Sequence, residues 1–143
     1  MRIKFSWVAT LWAVWLCMVA VTWVFFPAIP LELWEMPMDV AGISLGVRVA
    51  ALCFGWGLIL FLARREPPSG ARRAISYGSA AGNVAAASGG IYSLAAGLAG
   101  VWILQAVLLE LLAAAAFILA ERNRGGVGGT AQTHAARRAP AAQ

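Results

Sequence analysis

Three polar side chains interrupt stretches that are otherwise apolar. Arg48 stands in VAGISLGVRVAALCFGWGLILFLA, Asn83 in AISYGSAAGNVAAASGGIYSL, and Glu110 in AGVWILQAVLLELLAAAAFILA. A guanidinium, a carboxamide and a carboxylate of this kind support two chemistries. Paired, Arg48 and Glu110 form an ion pair that fixes helix register, with the amide of Asn83 filling leftover donors or acceptors. Left open, the cluster is an ion or solute site with Glu110 as the carrier. A charge at a helix centre costs ~2.5–3.5 kcal/mol on membrane-insertion scales, so such a residue is a functional candidate whose partner should be named. A carboxylate beside a guanidinium is a poor reversible proton carrier near neutral pH, which favours the structural alternative. No other catalytic set is visible. There is no Ser/His/Asp constellation, no metal-ligand cluster, no haem-type His pair within the apolar stretches and no glycine loop beside a phosphate-binding lysine. The sequence therefore predicts neither an enzyme nor a bound cofactor.

The elements that must position these side chains are long apolar blocks. Apolar residues make up 62% of the 143-residue chain and charged residues 12%, against about half and a quarter in a soluble domain. The excess collects in four blocks, about residues 5–26, 40–63, 74–94 and 99–120, each near the ~20 residues that span a bilayer core of ~30 Å. The expected fold is all-α: a polytopic four-transmembrane-helix bundle occupying residues 1–121. At ~1.5 Å per residue, Arg48 and Asn83 lie ~14 Å inside their blocks and Glu110 ~16 Å, near the midplane in each case. The first block resembles a secretory signal, but its apolar run exceeds the usual ~7–15 residues and no small-x-small site closes it, so it is expected to be retained.

Charge gives the orientation. Arg2 and Lys4 precede the first block, Arg64, Arg65, Arg72 and Arg73 lie between the second and third, and Arg122, Arg124, Arg137 and Arg138 follow the fourth. Glu32, Glu35 and Asp39 lie between the first and second, with no basic residue there. This alternation is the positive-inside pattern and places both termini in the cytoplasm. The net charge of +5 then reports orientation and attraction to anionic lipid, not nucleic-acid binding. Residues 122–143 are Gly/Ala-rich and basic, without apolar periodicity, and read as a disordered tail. His134 falls in that tail and reads as solvated.

Smaller signals sort as structure. Cys17 and Cys53 lie inside spans and form no CxxC, so they read as small buried apolar residues. Met36-Pro37-Met38 offers two thioethers but no third soft ligand, which is thin for copper(I). Three prolines deny Pro27–Asp39 a long helix, and Asp39 is placed to cap the second span. Small residues mark helix contacts in membranes. Gly42 and Gly46 form a GxxxG on the second span, while Gly55, Ala41, Ser44 and Ala51 share the face of Arg48. On the third span Gly78, Gly82, Ala86 and Gly90 repeat every four residues as a smooth ridge. All six glycines named here are expected to pack against helices.

The order Pro27, Arg48 with Gly55, the Arg64–Arg73 turn, Asn83, Trp102 and Glu110 resembles small four-span bacterial inner-membrane proteins of unknown function, over about Met1–Ala120. The resemblance implies a four-helix bundle in the inner (plasma) membrane and no activity. Two function readings remain: a structural or accessory membrane component, with the lipid bilayer and a larger complex or a second copy as partners, and a small transporter or channel using the midplane cluster.

Overall fold

The computed structural model describes residues 4–122. The basic tail with His134 lies outside the described residues, as does Arg2. The elements are α1 (Phe5–Phe25), α2 (Ala28–Leu33), α3 (Val40–Ala63), α4 (Gly70–Ala95) and α5 (Ile103–Arg122), and no strand occurs among the described residues. α1, α3 and α5 are each long and apolar enough to cross a membrane. α4 has 26 residues, but its serines, glycines, Asn83 and two arginines keep it outside that group.

Local chemistry sets each boundary. Pro27 has no N–H to continue α1 and instead opens the short α2. The Asp39 carboxylate accepts from the backbone N–H of Gly42 at 2.6 Å and caps α3, as its position predicts. Two prolines break the chain after α3. Ser69 then caps α4 by accepting from the N–H of Arg72 at 3.1 Å, so α4 starts four residues earlier than the hydropathy predicts. α5 starts four residues later than predicted, because residues 96–102 form a turn tied to the α2–α3 loop. Gly97 has φ +69°, a left-handed geometry that favours glycine. The Gly100 N–H donates to the Trp34 carbonyl at 2.7 Å, and a Cβ on Gly100 would come within 2.5 Å of the Glu35 carboxyl carbon.

The helices pack as two antiparallel hairpins, α1 with α3 and α4 with α5, joined by a seam between α1 and α5. α3 sits tight on α1: a Cβ on Gly46 would collide with the Trp23 ring, and one on Gly57 would lie 3.1 Å from the Ala13 carbonyl. Between α4 and α5, a Cβ on Gly90 would lie 2.7 Å from Val107. One apolar core surrounds Phe5, Ala9, Ala13, Leu60, Ala114 and Phe117. A second gathers Ala20, Trp23, Leu31 and Ala50 at the other end, with Trp23 and Trp34 6.1 Å apart. Outside these cores the helices expose large apolar side chains such as Trp7, Leu11, Leu52 and Tyr92, the surface expected of helices solvated by lipid.

A charged knot closes the end where α1 and α4 begin and α5 finishes. Arg72, 1% exposed, donates to Glu121 at 3.0 Å and stacks 4.9 Å over the Phe5 ring. Phe5 in turn packs on Phe117 at 6.4 Å. Removing one partner of such a buried pair strands the other charge, a loss of roughly 3–5 kcal/mol. Glu121→Gln and Arg72→Met are therefore each expected to lower the melting temperature in detergent, and the double variant to lose less than their sum. A double-mutant cycle measures this.

Candidate functional site

The seam leaves α3 and α4 unpaired along most of their length, although they are consecutive. They approach at Trp56, whose ring edge lies 3.9 Å from the position of a Cβ on Gly78. Outward from that contact a groove of about 970 Å³ opens, walled by α1, α3, α4 and α5. Its surface is mostly apolar, with Trp15, Val19, Leu45, Val49, Ile103 and Val107 among the lining residues. Into this groove face the carboxylate of Glu110 and the amide of Asn83.

The position of Asn83 follows from a stripe on α4. Arg72, Ser76, Ser79, Asn83 and Ala87 recur at helical spacing and are all buried. The Asn83 amide nitrogen donates to the Ser79 carbonyl at 2.8 Å. Its oxygen has no partner among the described residues. Glu110 likewise has no ion pair or hydrogen bond among them, and stands half-buried on α5. The groove thus presents two unpaired acceptors, which suit an ammonium, a guanidinium or another donor group, and Trp34 in its lining has a buried indole N–H without a partner among the described residues. Among the described residues no three His, Cys, Asp or Glu side chains gather for a metal. Met36 packs beside Trp23 while Met38 is exposed, so the two thioethers are held apart in environment.

The expected Arg48–Glu110 pair is not formed within the chain. Among the described residues the ion pair is Arg72–Glu121. Arg48 is exposed and does not line the groove, though its helical neighbours Leu45 and Leu52 do. Leu52 and Ala41 on its face reach the lining, whereas Ser44, Ala51 and Gly55 do not. The reason is azimuth. Arg48 and Trp56 are eight residues apart and so differ by ~80° around α3 at ~100° per residue, so the helix that turns Trp56 inward turns Arg48 outward. Equal depth in two sequences carries no information on which way each side chain points.

The six glycines divide likewise. Gly46 and Gly90 take close contacts, and Gly42 sits against the Asp39 carboxylate and the Pro37 carbonyl at the start of α3. Gly78 borders the groove beside Trp56. A Cβ on Gly55 or Gly82 would meet nothing within 4 Å, so in the single chain these two are not packing glycines, because the ridge of α4 faces the groove and the Arg48 face of α3 has no neighbour. The sequence reading missed Arg72 and Glu121, having counted Arg72 as loop charge. The signal was present: Arg72 begins the i, i+4, i+7, i+11 polar stripe that ends at Asn83.

Gly90→Leu is accordingly expected to force α4 and α5 apart at ~1–3 kcal/mol or more. Gly82→Leu should fill groove space and leave the melting temperature in detergent close to that of the parent. Equal losses at the two positions would mean that the groove is closed in the folded protein. No family model, curated protein or solved structure matches the chain.

Proposed function

We propose that the chain is an integral membrane protein that crosses the bilayer four times, with its N-terminal start and the end of α5 on the cytoplasmic side of a bacterial inner membrane. Three apolar helices support the membrane setting. α4 lies antiparallel along α5 over the same length, and its polar stripe is turned into the protein, so its low hydropathy is compatible with a fourth span. Lys4, Arg64, Arg65, Arg72, Arg73 and Arg122 gather at one end of the helices, and Glu32, Glu35 and Asp39 at the other, as the positive-inside rule requires. Cysteine substitutions test this directly. A label impermeant to the membrane should reach Ser69→Cys from the cytoplasmic side alone and Leu33→Cys from the outside. Outside labelling of Ser69→Cys would overturn the topology.

Within that setting the protein acts as a structural or accessory component, through the groove between α3 and α4. One observation supports this: Asn83 and Glu110 line a mostly apolar groove between α3 and α4 that their own chain leaves open, with acceptors that a partner could meet. A second reading, a small transporter, draws on the same pair, because an unpaired carboxylate in a groove can hold a cation. Flux separates them. Purified protein in proteoliposomes is expected to give solute and proton leak equal to that of empty vesicles. A leak abolished by Glu110→Gln would replace the accessory reading with the transport reading.

A further inference from the structure

We propose that a second copy of this chain completes the groove: Arg48 of one copy enters the groove of the other and meets Glu110 and Asn83 there. This deepens the accessory reading and rests on it.

The first observation is complementarity. The groove holds two unpaired acceptors, Glu110 and the oxygen of Asn83, and the Asn83 side chain is only 7% exposed. Beside the lining residues Leu45, Val49 and Leu52 of α3, the exposed Arg48 guanidinium has no carboxylate within ion-pair distance among the described residues. Arg48 and Glu110 each lie inside an apolar helix long enough to cross a membrane, where an unpaired charge is costly and polar groups seek one another.

The second observation is level. From the Trp56–Gly78 contact, Arg48 is eight residues outward on α3, ~12 Å. Gly90 is twelve residues outward on α4, ~18 Å, and Glu110 lies three residues inward of its neighbour Val107, which puts Glu110 at ~13.5 Å. Asn83 is five residues outward, ~7.5 Å. The guanidinium and the carboxylate therefore share a level, and the amide lies about one turn below.

The third observation is access. Ser44, Ala51 and Gly55 flank Arg48, are exposed, and form no part of the α1 contact. Their small size lets a second α3 approach closely. Because Arg48 stands beside the wall that α3 gives the groove, a twofold axis beside α3 forms the pair twice, Arg48 to Glu110 in each direction. A twofold interface is self-complementary by construction.

The test uses disulfide cross-linking in native membranes, in the full chain with Cys17→Ser and Cys53→Ser, after a carbonate wash. Ser44→Cys and Ala51→Cys should each give a covalent dimer, and Leu11→Cys on the lipid face of α1 should give none. Two differently tagged chains, one carrying Arg48→Cys and the other Glu110→Cys, should cross-link to each other. Adding Glu110→Gln to Ser44→Cys should lower the dimer fraction by about tenfold or more, as expected for losing one partner of a desolvated charge pair. The swap Arg48→Glu with Glu110→Arg should restore it. A chain that stays in the washed membrane without cross-linking at Ser44→Cys or Ala51→Cys overturns the proposal and leaves the membrane reading standing. So does a Ser44→Cys dimer in a membrane where the Arg48→Cys chain and the Glu110→Cys chain form no bond to each other. Release of the chain into the carbonate supernatant overturns the membrane reading, and this proposal with it.

Discussion

Everything in this fold depends on the seam between α1 and α5. The two hairpins, α1–α3 and α4–α5, are each held by close backbone approach at small residues, but α1 against α5 is what joins them. The seam is tightest at the end where α1 and α4 begin and α5 finishes, where Phe5, Phe117, Arg72 and Glu121 interlock. At the opposite end the hairpins are joined by loops, through the Trp34 carbonyl and the Gly100 N–H. A bundle clamped at both ends and along one seam must gape along the facing side. The groove between α3 and α4 is that gap.

The same geometry explains why α4 tolerates its composition. A helix exposed to lipid all round needs apolar side chains throughout. α4 instead buries a polar stripe, with Arg72 paired to Glu121 of α5 and Asn83 at the groove, and borders the groove with its glycine ridge. Ser79, Ser88 and Ser93 each return their hydroxyl to a carbonyl four residues earlier, which satisfies them inside the helix. The Ser76 hydroxyl, the Arg72 Nε and the oxygen of Asn83 remain without a partner on this stripe among the described residues.

Much of this was legible in the sequence. Hydropathy located α1 and α3 nearly to the residue, and Asp39 announced its cap. Boundaries moved where hydropathy and capping compete: Ser69 extends α4 back into the basic loop, and the Gly97–Gly100 turn delays α5. Membership of the polar centre was half legible. Asn83 and Glu110 do line one groove, about one helical turn apart in level; their depth was countable from sequence, while their facing the same space was not. Arg48 was assigned to the same interior on depth alone, and the angle around α3 contradicts it within the chain. Helix-to-helix azimuth depends on which neighbours a helix chooses, and small residues on two faces of α3 left that choice open. Gly46 settled it against Trp23, a contact between distant residues that no local pattern encodes.

Two carboxylates on α5 show how position decides use. Glu121 sits one helical turn beyond Phe117, meets Arg72 within its own chain, and is nearly closed off from solvent. Its charge is spent on holding α4 to α5, and Arg72 is further steadied by the Phe5 ring. Glu110 lies three turns away along the same helix, on the wall of a groove, and its chain supplies no cation to it among the described residues. A pair satisfied internally contributes to the stability of one subunit. A carboxylate in a groove and a guanidinium outside it, kept apart in one subunit, can be satisfied only by rearrangement or by something from outside. In a soluble protein water would fill that role at little cost. Within a bilayer core there is no such solvent, so at that depth a separated carboxylate and guanidinium would stay costly until rearrangement or a partner group met them.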